Sequence, residues 1–176
     1  VVVLEKGWFL THEDLAGKAP TLIYGDNKDG VGTYKGNHGT AVLGEIAADD
    51  NTVGVVGGAP TVSSLRVTSY YDAATNTEVH VADALVAAVA ALSGGDVTLL
   101  EVQRSKMPTE IDDADFDAIR LASALEIIVV EAAGNRNADL DAYTSPSGDS
   151  ILNRGSADFR ESGAIMVGSA ASAVLG

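Results

Sequence analysis

The chain has no cysteine. That absence removes disulfides, thiolate metal sites and cysteine nucleophiles together, and leaves the cellular compartment open. Basic residues are few: 11 lysines and arginines stand against 25 aspartates and glutamates, a formal net charge of −14. Such a surface repels phosphate, so neither nucleic acid nor an anionic membrane is an expected partner, and a monomer is the expected state. No apolar run has membrane-spanning length, and the longest, Val81 to Leu92, is broken by Asp83. No repeat, low-complexity tract or internal linker divides the chain. It opens on Val1-Val2-Val3-Leu4 without an initiator methionine or signal peptide, as expected of a mature product or of a chain whose start has been removed. What is present fits one folded domain: 176 residues, 46% hydrophobic, with a mean hydropathy of +0.15.

Val1 to Leu4 is expected as a buried strand, because a continuous β-branched run suits the core of a parallel sheet. Thr11 to Lys35 is polar and glycine-rich, so His12, Asp14, Asp26, Asp29 and Tyr34 are expected on surface loops, with one short strand at Thr21 to Tyr24. Helical spacing of Val42, Leu43, Ile46 and Ala47 predicts a helix from Asn37 to Ala47, with Asn37 as N-cap. Ser64 to Thr68 alternates as a strand. A helix is expected from Glu78 to Leu92, with Val81, Leu85, Ala88, Val89 and Leu92 inward and Gly94-Gly95 ending it. Val97 to Val102 is the next strand, and Asp112 to Leu125 a helix burying Phe116, Ile119, Leu121, Ala122 and Leu125. Strands at Ile127 to Val130 and Gly163 to Ser169 follow. Strands alternating with helices imply an α/β fold, a mostly parallel twisted sheet with helices on both faces. The long polar stretch from Arg136 to Ser162 is of a size that usually lines a functional cleft.

Two motifs could carry chemistry. His38 stands at the mouth of its helix, whose positive end disfavours added positive charge, which suits a proton acceptor. Ala132-Ala133-Gly134-Asn135 places a carboxamide at the carboxyl end of a core strand, where open α/β sheets put their sites and where an amide N–H can meet a developing oxyanion. Read alone, a histidine at a helix start is more often a solvent-facing cap or a packing residue, and Gly134-Asn135 more often a strand-ending turn.

Taken together and in order, His38-Gly39-Thr40 with Gly44, Gly57-Gly58-Ala59-Pro60 before a strand, Ala132-Ala133-Gly134-Asn135, and Val167-Gly168-Ser169 resemble the subtilisin-like serine peptidases over essentially the whole chain. The resemblance implies that His38 is the general base and Asn135 the oxyanion donor, that the substrate is a peptide or protein, and that Leu100-Glu101-Val102-Gln103 replaces the Ser-Leu-Gly segment that binds extended peptide, with Glu101 changing the charge of the pocket. It implies export from the cell and no required cofactor, with calcium possible.

Two departures matter. The family's acid ends the first strand in an Asp-Thr-Gly or Asp-Ser-Gly, and Glu5-Lys6-Gly7 stands in that register. Relatives reading Asp-x-Glu-x-Gly-Trp, then His-Glu-Asp-Leu, match Gly7-Trp8 and His12-Glu13-Asp14-Leu15 and would instead put Val3 at the acid position. The family's nucleophile lies in a Gly-Thr-Ser-x-Ala segment well after the Val-Gly-Ala strand, and neither it nor Gly-x-Ser-x-Gly occurs here. Ser169 is a poor substitute, expected to pack in its strand. Residues 1–176 are therefore expected to be the N-terminal part of a catalytic domain, unable to hydrolyse peptides alone. The competing expectation is a non-catalytic module that binds extended peptide or protein.

Other candidates are weaker. Asp113, Asp115 and Asp117 alternate as in a calcium loop, but Ala118 and Ala124 occupy the positions that need glycine and glutamate, so the acids are expected to complement a helix dipole. His12, Asp14 and Asp26 lack metal-ligand spacing. His80 is expected at a helix start. Asp139 and Asp141, with Ser145-Pro146-Ser147-Gly148, define no coordination set, so no metal ligand is assigned.

Overall fold

The computed structural model describes residues 1–28, 37–78, 80–135 and 137–170. Asp29, Tyr34 and the Asn37 side chain lie outside the described residues, so the expectations placed on them stay there.

In chain order the elements are β1 (Val2–Glu5), β2 (Thr21–Tyr24), α1 (Asn37–Ala47), β3 (Arg66–Ser69), β4 (Tyr71–Asp72), β5 (Thr77–Glu78), α2 (Val81–Ala90), β6 (Val97–Leu100), β7 (Gln103–Arg104), β8 (Met107–Pro108), α3 (Asp113–Ala124), β9 (Ile128–Ala132) and β10 (Ile165–Val167). Six strands form one sheet in the order β10-β9-β6-β1-β3-β2, and every pairing in it is parallel. The run Val2-Val3-Leu4 is continuous because both faces of β1 are covered. Val2 and Leu4 pack with Val81, Leu85, Ala88 and Ile119 of α2 and α3, while Val3 packs with Leu43 and Ala47 of α1, together with Trp8 and Leu15. Burying one such side chain stabilises the fold by about 1.5–3 kcal/mol, so the two layers pin β1 from opposite sides.

Several element bounds differ from expectation for local reasons. Thr77–Glu78 pairs antiparallel with Tyr71–Asp72, and this hairpin, whose turn puts Asn76 at φ 53°, delays α2 from Glu78 to Val81. The helix ends at Ala90, and Leu92 packs against the core from outside it. The next strand stops at Leu100 because Gln103 already belongs to the β7–β8 hairpin. The strand at 128–132 runs two residues beyond Val130, carrying Glu131 and Ala132 into the sheet. Leu121 and Leu125, expected inside, are 44% and 51% exposed, since α3 buries Asp115, Phe116, Ala118, Ile119 and Ala122 instead. Asp14, expected on the surface, is buried; its carboxylate lies against Gly54 and accepts from the Val55 N–H at 3.3 Å. Asp112 caps α3, accepting from the N–H groups of Ala114 and Asp115, a contribution of about 1 kcal/mol.

Candidate active site

β3 and β6 flank β1 on opposite sides, and the connections that lead to them cross opposite faces of the sheet. The carboxyl ends of β1 and β6 therefore border the topological switch point, where a crevice opens in sheets of this kind. A cleft of about 620 Å³ lies there, lined among others by Glu5, His38, Tyr70, Glu101, Gln103 and Asn135.

The His38-Gly39-Thr40 motif has a local physical reason. A Cβ on Gly39 would fall 2.4 Å from the Gly7 carbonyl oxygen and 2.7 Å from the Trp8 ring, so only glycine lets α1 come down onto the chain leaving β1. Thr40 secures the contact, its Oγ1 accepting from the Phe9 N–H at 2.8 Å. That approach sets His38 Nδ1 2.7 Å from Glu5 Oε2. The His38 side chain is 69% exposed and the Glu5 side chain 6%. With the carboxylate accepting, Nδ1 is the donor of this contact and Nε2 is the ring nitrogen it leaves over. The other Glu5 oxygen accepts from the Lys6 N–H at 2.8 Å and the Tyr70 hydroxyl at 3.2 Å. Val3, the alternative acid position, is fully buried, packed with Trp8, Leu15, Leu43 and Ala47.

Tyr70 was not singled out by the sequence reading. Its signal is an aromatic hydroxyl directly after the β3 strand, but its partner lies 65 residues away. Burial, then the neighbouring Glu5 charge, pushes its phenol well above the ordinary range.

Of the four residues expected to meet substrate, Glu101, Val102 and Gln103 line the cleft. Leu100 does not: it is fully buried among α2 and α3 residues, and its backbone is ladder-paired to both Leu4 and Glu131. Glu101 follows β6 as Glu5 ends β1, with its N–H bonded to the Leu4 carbonyl at 3.0 Å. Burial raises the pKa of the Glu101 carboxyl; His38 opposes that shift, and Glu5 and Glu45 add to it. Other charges around the cleft pair internally: Lys6 and Lys28 with Glu78, and Arg104 with Asp115. The hydrogen bonds from Lys28 and Lys6 outweigh desolvation and hold Glu78 below the usual carboxylate range.

Asn135 is exposed at the far side of the cleft, just past β9. No serine is among the described residues lining it. Ser169, expected to pack in a strand, lies two residues past β10, exposed at a second hollow shared with Asn135 and with Asn137 to Leu140 of the long polar segment. The acids at the start of α3 serve structure: Asp115 binds Arg104 and Asp113 binds Arg160. Asp139 accepts from the Asp141 N–H in a 3₁₀ turn, and His80 precedes α2 beside Asp83. Among the described residues no group of three or more His, Asp or Glu side chains is placed to hold a metal ion, and no helix is long and apolar enough to cross a membrane.

Comparison with known proteins agrees with this fold. A thermophilic serine proteinase of Bacillus sp. (strain AK1) is 30% identical over 159 residues, covering 90% of this chain and 38% of that protein. The crystal structure of the psychrophilic subtilisin-like protease Apa1 from the Antarctic psychrotroph Pseudoalteromonas sp. AS-11 superposes with a TM-score of 0.58 at 25% identity, covering 85% of this chain and 34% of that one. The chain thus spans well under half the length of either. The model of the subtilase family matches residues 1–174, and the chain belongs to that family.

Proposed function

We propose that residues 1–176 form the acid, base and oxyanion part of a serine endopeptidase site, a partial catalytic domain whose serine comes from outside these residues. In this reading His38 Nε2 takes the proton of the serine hydroxyl as it attacks a peptide carbonyl, then returns it to the leaving amine. Glu5 fixes the tautomer through Nδ1 and stabilises the imidazolium, and the Asn135 carboxamide donates to the oxyanion. Extended peptide runs along residues 101–103. The chemistry needs no cofactor, and the enzyme acts outside the cell. The observation that carries the reading is the 2.7 Å Glu5–His38 contact at the edge of the cleft that Asn135 also lines.

In a protein that also carries a Gly-Thr-Ser-x-Ala segment, His38→Ala is expected to lower kcat roughly 10⁴-fold or more. An unchanged kcat would end the assignment. Residues 1–176 alone are expected not to react with a fluorophosphonate, and stoichiometric, His38-dependent labelling would overturn their inactivity. Peptide binding without hydrolysis by the complete protein would support the non-catalytic module instead.

A further inference from the structure

A carboxamide can stabilise an oxyanion only if its main chain is fixed, since a misplacement of about 1 Å costs around a hundredfold in rate. Asn135 is exposed and follows Gly134, which sits at φ 90°. The turn is nonetheless held on both sides. The Ala133 N–H donates to the Val167 carbonyl at 2.9 Å, which ties the near side to β10. On the far side the Asn135 N–H donates to Gln103 Oε1 at 3.0 Å. A backbone N–H needs an acceptor, so the Gln103 oxygen rather than its amide nitrogen must face it.

Gln103 opens a built clamp. It begins the β7–β8 hairpin, whose turn residues Ser105 and Lys106 lie at φ 52° and 65°. This is the conformation of a tight two-residue hairpin turn, here adopted without glycine. The Lys106 carbonyl presses on Gly134 so closely that a Cβ there would be 2.3 Å from its oxygen. Arg104 locks the hairpin with a two-pronged contact to Asp115, Nε at 2.8 Å and Nη2 at 3.1 Å. The Thr109 hydroxyl donates to the same carboxylate at 2.5 Å. The Asp115 side chain is 1% exposed, so this anchor is part of the packed interior.

We propose that Gln103 is a positioning residue for the oxyanion donor, its side-chain oxygen fixing the Asn135 peptide plane, with the 103–108 hairpin as the clamp that carries it. This rests on the reading of Asn135 as that donor. It gives Gln103 a role toward the enzyme's own backbone, distinct from contact with substrate.

Two measurements test it. In the purified protein, Gln103→Met keeps the bulk and removes the acceptor, whereas Gln103→Glu keeps an acceptor. Gln103→Met is expected to raise the hydrogen-exchange rate of the Asn135 amide about tenfold and to leave the Ala133 amide unchanged as a control on folding. Gln103→Glu is expected to preserve protection. In the serine-bearing peptidase, Gln103→Met is expected to lower kcat roughly ten- to hundredfold with KM within about twofold, and to have no further effect once Asn135→Ala is present. Unchanged exchange at Asn135, or a Gln103→Met effect that adds in full to Asn135→Ala, would overturn the proposal. If Asn135→Ala itself leaves kcat intact, the oxyanion reading fails, and the exchange result still decides whether Gln103 holds the turn.

Discussion

Two glutamates lie at the carboxyl ends of parallel strands of the same sheet, and each is almost fully buried: Glu5, the last residue of β1, and Glu131, the last but one of β9, at 5% and 0% exposure. Their surroundings are opposite. Glu5 accepts from a backbone N–H and a phenol and meets an imidazole nitrogen, so its carboxylate oxygens are hydrogen-bonded by the protein. Neither Glu131 oxygen has a hydrogen-bond partner among the described residues, and its nearest charged neighbour is Glu110. Burial first, then the Glu110 charge, pushes Glu131 up to about 9. Depth alone therefore does not decide whether a buried carboxyl is an ion or an acid. The donors that reach it do.

The largest effect is expected from removing the charge of the satisfied member. Glu5→Gln keeps the shape but lets the amide donate toward Nδ1, favouring the wrong imidazole tautomer. In the serine-bearing protein kcat is expected to fall roughly 10⁴-fold, the loss seen when another serine protease has its triad acid converted to an amide. A loss under about tenfold would mean that Glu5 merely packs against the ring.

The unsatisfied member is expected to show itself in stability. Its folded value lies above the unfolded 4.5, so the stability it confers is complete below pH 4.5 and is lost as pH rises to about 9. The slope over that interval is about 1.4 kcal/mol per pH unit. Glu131→Gln, neutral throughout, is expected to remove the slope and to be the more stable protein at neutral and alkaline pH. Denaturant midpoints from pH 5 to 9 would check this, and parallel curves for the two proteins would refute it.

Tyr70→Phe probes the satisfied site more gently. It withdraws one donor from a buried carboxylate, and hydrogen bonds to charged groups are worth about 1.5–3 kcal/mol. Urea unfolding is expected to show a loss in that range. No loss would mean that the Lys6 N–H and His38 already suffice.

The contrast between the two glutamates also marks what the sequence could reveal. The Val2-Val3-Leu4 run, the α1 spacing and the α2 face were legible because each pattern reports a face buried against one layer. The pairing of Glu5 with His38 was legible only as one of two registers: Val3 and Glu5 share strand parity, and only the length of chain covered by α1 separates the buried position from the one reaching the cleft. Glu131 stands directly before the Ala132-Ala133-Gly134-Asn135 motif and passed unread, because nothing local says that Glu110 will lie opposite. Tyr70 and the Gln103 clamp were missed for the same reason, their partners being 65 and 32 residues distant. Leu121 and Leu125 were misassigned because helical periodicity gives a face without giving the width of the surface that covers it.

The smallest expected effect concerns Glu101, which stands beside Glu5 at the neighbouring strand end and shares neither fate. It is half-buried, its carboxylate has no hydrogen bond or ion pair with the described residues, and burial raises its pKa. The lysines and arginine lining the cleft are already engaged with Glu78 and Asp115, so the remaining charge is available to a cation on the bound peptide. Such a partly solvated pair is worth under about 1 kcal/mol and weakens with salt. A peptide carrying lysine is therefore expected to bind two- to fivefold more tightly, to within about 1 kcal/mol, than the same peptide carrying norleucine. Glu101→Gln is expected to erase that preference, and high salt to shrink it in the unsubstituted protein. If the preference survives Glu101→Gln, it arises from the overall negative field of the protein, and the comparison narrows to the two glutamates whose donors alone set their charge.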